Sequence, residues 1–182
     1  MSYTAKNKAD NPMLRMTMSF GVSTGLWIGA KFILNALSIN HAWVGIVVWL
    51  VDLYILFLFY SSTLIYRFRE KGGNISFSEA YSFILLLMFF SAIIAAAVRW
   101  IYLSFFDSSY LSLMYEQTMP VLEKMMPAEI DEVEMRLREF LVPIRFSLFY
   151  IFYDLIVASV LGLILAPIVR RSKNILPDDF ED

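Results

Sequence analysis

The chain has 182 residues, of which 59% are hydrophobic and 16% aromatic, and its formal net charge is −2. Soluble domains are about 45–50% apolar, so this composition indicates a membrane protein. The small net charge, with no dense Lys/Arg tract, argues against a nucleic-acid partner. The absence of cysteine excludes disulfides, iron–sulfur clusters, thiol catalysis and Cys-based zinc sites.

Four apolar blocks are each long enough to cross a bilayer, which takes about 20 helical residues. The predicted spans are residues 13–37, 42–66, 78–106 and 143–168. Ser76 and Glu79 have the S-x-x-E spacing of a capping box, which predicts where the third helix begins. We therefore predict an all-α, polytopic fold in which residues 1–182 form a single four-helix membrane domain surrounded by lipid. The polar start and the long first block favour an uncleaved span over a signal peptide.

Lysine and arginine are concentrated at one side of the predicted spans, and basic segments remain cytoplasmic. Three Lys or Arg residues lie in each of three segments: the N-terminal segment up to Arg15, the second link at 67–77, and the tail at 169–182. The third link, residues 107–142, carries eight acidic and three basic residues. We predict that both termini are cytoplasmic and that the third link lies outside.

The third link is predicted to be an extracytoplasmic amphipathic helical segment. Pro120 and Pro127 are each expected to end a preceding helix, and apolar residues recur at helical spacing from Ile130 to Leu141. Two interpretations stay open. The segment is a cap across the outer ends of the spans, or it is a docking surface for an external partner or a methionine-rich lid.

Small residues at four-residue intervals predict where helices pack, because they let backbones approach closely in lipid. These residues are Gly21, Gly25 and Gly29 in the first span and Ala158, Gly162 and Ala166 in the fourth. We expect packing within the chain, with a homodimer interface as the alternative. The second span has few small residues, which predicts that it has the widest lipid exposure.

Four ionisable residues fall well inside the spans: Lys31, Asp52, Arg99 and Asp154. At 1.5 Å per residue they lie about 9–15 Å below the predicted outer boundary. A charge at mid-membrane is costly, so we expect these two bases and two acids to form one charge layer. They are either buried ion pairs that fix helix register or the lining of an outward-opening vestibule for a ligand or ion.

Motifs for common catalytic and nucleotide sites are missing. A P-loop, a GxGxxG fingerprint and HExxH do not occur, and we expect no GxSxG nucleophile elbow. His41, the only histidine, cannot form a zinc site alone. We therefore predict no catalytic, cofactor-binding or metal-binding residues and expect the protein not to be an enzyme.

The passage between spans two and three runs from Tyr66 to Ala80 and reads basic, Gly-Gly, then aromatic and Ser. It resembles a family of bacterial four-helix inner-membrane proteins catalogued as domain of unknown function 4199. The resemblance extends over nearly the whole chain. It implies an inner-membrane location and no catalytic residues, with an accessory role beside a membrane glycosyltransferase or other envelope protein.

Two functions remain as hypotheses. The first is a non-enzymatic accessory or scaffolding subunit for an envelope process, and the second is a small transporter or ligand-binding membrane protein that uses the charge layer. A lipid-modifying enzyme is a weaker third. A closed, dry cluster of the four charges favours the first, whereas an open cavity favours the second.

The predicted orientation can be tested with single cysteines in this cysteine-free chain. A cysteine at residue 130 should react with an impermeant thiol reagent in intact cells, whereas cysteines at residues 5 and 176 should react only after lysis. Labelling of either terminus in intact cells would contradict the orientation.

Overall fold

The computed structural model describes residues 11–39, 41 and 43–171, which form helices and short connections without a strand. The helices are α1 Pro12–Ser38, α2 Val44–Lys71, α3 Phe77–Phe105, α4 Ser109–Met125, α5 Ile130–Phe140 and α6 Pro143–Arg171, with a 3₁₀ turn at Pro127–Glu129. Helices α1, α2, α3 and α6 are long and apolar enough to cross a membrane. The protein is therefore an all-α polytopic membrane protein, as predicted. Of the predicted tail at 169–182, only the last turn of α6 lies within the described residues.

Local sequence explains where the long helices begin and end. Asn11 caps α1 by accepting a hydrogen bond from the Met13 amide at 3.1 Å, and Ser76 and Glu79 form the predicted capping box of α3. Helix α2 continues five residues beyond its predicted end at residue 66. It stops at Gly72, whose φ of 56° is the left-handed conformation that favours glycine. Hydropathy therefore predicted the edge of the apolar segment and not the end of the helix.

The glycine stripe of α1 packs against α3. A Cβ atom placed on Gly25 would lie 2.5 Å from the carbonyl oxygen of Ser91, and one on Gly29 would lie 2.7 Å from Val98 Cβ. No side chain fits at these distances, so the stripe is used inside the chain. A homodimer would need a different surface.

The small-residue stripe of α6 is also internal. Ala158 and Ala166 are fully buried, and a Cβ on Gly162 would lie 2.8 Å from the ring of Tyr81 in α3. Helices α1 and α3 therefore form the centre of the bundle, with α2 beside α1 and α6 beside α3. Helices α2 and α6 scarcely touch each other.

The prediction that the second span is the most exposed is wrong. Helix α6 is the least buried of the four spans. Helix α6 packs mainly on α3, with smaller contacts to α2 and α5, whereas α2 packs on α1 and also reaches α3 and α6.

The third link folds into two helices, α4 and α5. The prediction that Pro120 ends a helix is wrong, because Pro120 lies inside α4. Proline removes the hydrogen bond to the carbonyl of residue 116, and both Glu116 and Pro120 are exposed, so water can solvate that carbonyl.

Polar contacts join α4 to α5. The Tyr115 hydroxyl donates to Glu134 Oε1 at 2.7 Å, and Arg138 donates to both residues. The hydrogen bond from Tyr115, together with that from Arg138, lowers the pKa of Glu134 below its usual value. These exposed contacts hold the two helices as one unit.

An aromatic cluster attaches α4 to the membrane helices. Leu111 of α4 is buried with Phe32, Leu103 and Phe146, and Phe140 at the end of α5 packs on Phe146 at 5.9 Å between ring centroids. The link is therefore attached to one end of the bundle at the first turn of α4 and the end of α5, while the rest of α4 packs mainly on α5.

Candidate functional site

The four intramembrane charges form two ion pairs toward the end of the bundle to which α4 is attached. Lys31 Nζ lies 2.5 Å from Asp52 Oδ1, and Arg99 Nη2 donates to Asp154 Oδ2 at 2.9 Å. Each base therefore pairs with an acid of the next membrane helix. Lys31 and Asp154 line the same cavities, so the two pairs belong to one charge layer.

The two pairs differ in burial. The Arg99 and Asp154 side chains are 3% and 10% exposed, against 31% and 41% for Lys31 and Asp52. Two aromatic rings enclose the guanidinium, with Arg99 Cζ 4.6 Å from the ring centroid of Tyr150 and 5.9 Å from that of Phe32. These rings stabilise the cation through their faces but accept no ordinary hydrogen bond.

Arg99 has hydrogen-bond donors left over. Its Nε and Nη1 atoms are buried and have no hydrogen-bond partner. Among the described residues, the Ser147 hydroxyl is the only other buried side-chain group without one. An unsatisfied buried donor costs about 1–3 kcal/mol, and more when charged. In the part of the chain that the structure describes, two nitrogen atoms of the Arg99 guanidinium therefore remain without a hydrogen-bond acceptor.

A cavity of about 360 Å³ lies beside the guanidinium. Its polar lining comprises Lys31, Asn35, Arg99, Tyr110, Tyr150, Tyr153 and Asp154. Burial raises the pKa of Tyr110, which belongs to α4, above its usual value, so this phenol remains a neutral donor at physiological pH. The cavity thus offers two cationic donors, Lys31 and Arg99, and the carboxylate of Asp154 as a charged acceptor, while the remaining polar groups can both donate and accept.

A second cavity, of about 370 Å³, continues from the first as a groove between α2 and α6. The two cavities share Ile28, Lys31, Tyr153 and Asp154. Asp52 completes the charged end of the groove, and Leu56, Met88, Val157 and Leu161 form its apolar end. The groove exists because α2 and α6 are neighbours that scarcely touch.

The sequence analysis predicted the four charges but missed the tyrosines. Tyr150 and Tyr153 precede Asp154 by four and one residues, and Tyr150 lies one helical turn from the carboxylate on the same face. This spacing could have identified Tyr150 as a neighbour of Asp154 from the sequence alone. Tyr110 could not have been found in the same way, because it reaches the cavity only through the packing of α4 on the bundle.

One motif in α1 was also overlooked. Residues 21–25 read Gly-Val-Ser-Thr-Gly, which has the letters of the GxSxG nucleophile elbow. An elbow needs a sharp turn from strand to helix, whereas this segment lies inside α1 and Ser23 is exposed on its outer face. The glycines serve packing on α3, so we assign Ser23 no catalytic role. The described residues also contain no group of three or more potential metal ligands.

Comparison with protein-family models matches residues 19–171 to the family described as "Protein of unknown function (DUF4199)". The chain belongs to this family. The match includes all four residues of the charge layer and confirms the resemblance seen in the passage from Tyr66 to Ala80. Comparisons with curated proteins and with solved structures gave no match. The function of this DUF4199 protein therefore has to be argued from its site.

The unequal burial of the two ion pairs predicts unequal effects on stability. Asp154→Ala should destabilise the protein by about 3–5 kcal/mol, because it leaves a buried cation without its carboxylate. Asp52→Ala is the matched control and should cost less, since Lys31 is partly exposed and can turn toward the cavity. Replacing both partners, as in Arg99→Met with Asp154→Leu, should recover part of the loss. Unfolding in detergent measures all three, and equal losses for the two single variants would contradict the assignment.

Proposed function

We propose that this protein is a ligand-binding membrane protein whose site is the cavity beside Arg99. The observation that carries the proposal is the buried guanidinium, which makes one hydrogen bond to Asp154 and has two further nitrogen atoms without an acceptor. A ligand oxygen placed in the cavity would accept from these atoms. The same geometry suits binding alone or binding as a step in transport.

A purely structural role for the Arg99–Asp154 ion pair accounts less well for the single hydrogen bond between them and for the adjoining cavity. An arginine that only fixes helix register gains most from a bidentate contact with its carboxylate, yet Arg99 uses a single nitrogen for Asp154. A structural pair also needs no cavity, whereas about 360 Å³ of space adjoins this one. Both features are expected of a site that keeps donors free for a ligand.

The location of the site follows from the proposed orientation. The distribution of Lys and Arg supports an orientation with both termini in the cytoplasm, and the resemblance in the passage from Tyr66 to Ala80 supports a bacterial cytoplasmic membrane. In that orientation the charge layer lies in the outer half of the bilayer and α4 and α5 lie outside. The ligand would then reach the site from the outer side or from the outer leaflet.

An accessory role is the second candidate function, supported by exposed methionines on the third link. Met125 and Met135 are 70% and 64% exposed, and flexible methionines suit adaptable contacts with a partner. The partner would be a membrane glycosyltransferase or another envelope protein. Ligand binding and this role are compatible, since a subunit can present a bound ligand to its partner.

A cavity-filling variant tests the proposed function. Asn35 lines the cavity and is exposed at its edge, so Asn35→Trp should block the site without disturbing the core. Leu37→Trp is the matched control, because Leu37 is also exposed on α1 but does not line the cavity. Native mass spectrometry of protein extracted in mild detergent should show a small-molecule adduct on the wild type and the control only. A wild type without adduct, or an adduct that persists in Asn35→Trp, would contradict the proposal.

A further inference from the structure

The groove between α2 and α6 provides the feature that identifies a ligand class. The groove has a charged end, at Lys31, Asp52 and Asp154, and an apolar end that extends along α6 to Leu161. Asp154 and Leu161 are separated by about 10 Å of helix. A site that is charged at one end and apolar at the other is complementary to an amphiphile and not to a small soluble ion.

The groove is also open toward the lipid. Trp49, Leu53 and Tyr153 line it and are 75%, 59% and 51% exposed. These residues lie on α2 and α6, whose outer faces meet the bilayer in a membrane protein of this topology. An acyl chain can therefore enter sideways from the bilayer, without passing through water.

The charges of the site define the headgroup. Arg99 needs acceptors for Nε and Nη1, and phosphate oxygens suit a guanidinium best. The layer already contains two bases and two acids, so a headgroup with a net negative charge would leave it unbalanced. Each acid uses one carboxylate oxygen for its base, and its second oxygen can accept from an ammonium group. A zwitterionic headgroup satisfies both requirements.

From these observations, and resting on the proposed function, we infer that the ligand is a zwitterionic phospholipid. Its phosphate accepts from Arg99 in the cavity, its ammonium group meets the carboxylates of Asp52 and Asp154, and an acyl chain lies in the groove between α2 and α6. Arg99 lies about 9 Å from the end of α3 at Phe105. The bound headgroup is therefore held deeper than those of surrounding lipids, which distinguishes this site from ordinary lipid contact.

Lipid titration of the delipidated full-length protein, followed by native mass spectrometry, tests this inference. The probes are dioleoyl phosphatidylethanolamine, dioleoyl phosphatidylglycerol, dioleoylglycerol and the chain-free glycerophosphoethanolamine. We expect phosphatidylethanolamine to bind most tightly. Arg99→Lys keeps a charge for Asp154 but has no planar fork and no donors at the positions of Nε and Nη1, so it should weaken phosphatidylethanolamine binding by about tenfold or more.

Groove variants keep the test decisive if Arg99→Lys folds poorly. Val157→Trp fills the groove, and Val160→Trp is the matched control on the exposed face of α6. Only Val157→Trp should lower phosphatidylethanolamine binding, and it should leave glycerophosphoethanolamine binding unchanged.

The failure of this inference is distinguishable from the failure of the proposed function. Phosphatidylglycerol or dioleoylglycerol binding as tightly as phosphatidylethanolamine would overturn the headgroup assignment, and equal effects of the two tryptophans would overturn the groove assignment. If the adduct blocked by Asn35→Trp proves not to be a phospholipid, the proposed function stands and this inference falls.

Discussion

The Arg99 guanidinium is the group on which the rest of the site depends. It is almost fully buried, it faces aromatic rings, and its single hydrogen bond goes to Asp154. A charge in this setting is tolerated only when its surroundings satisfy it. The carboxylate supplies the counter-charge but not the remaining acceptors. In the function that we propose, a ligand in the cavity supplies those acceptors, and the burial of Arg99 then links the fold of the bundle to binding.

The packing of the helices creates the cavity beside Arg99 and the groove between α2 and α6. The glycine stripe brings α1 and α3 into backbone contact, and α6 joins α3 through its own small residues. Helix α2 is attached on the other side, to α1. Because the close contacts are made at the centre, α2 and α6 are left apart along their facing edges. The groove is thus a consequence of where the small residues lie in the sequence.

Sequence alone predicted the parts of this structure that depend on composition and local pattern. The four spans, the capping box at Ser76 and the layer of four charges follow from hydropathy, cap chemistry and the cost of charge in lipid. The partner of each charge could not be predicted, since that depends on how each helix is rotated in the bundle. Two features could not be predicted from local sequence patterns. Helix α4 continues through Pro120 because the free carbonyl is exposed to solvent, and Tyr110 lines the cavity because α4 packs on the bundle.

An experimental density map of the protein extracted together with its surrounding lipid tests the central claim most directly. Non-protein density should lie within hydrogen-bond distance of Arg99 Nε and Nη1 and continue into the groove between α2 and α6. A map in which protein acceptors occupy both nitrogen atoms, with the cavity closed by side chains, would contradict the claim. The four charges would then be a structural cluster only.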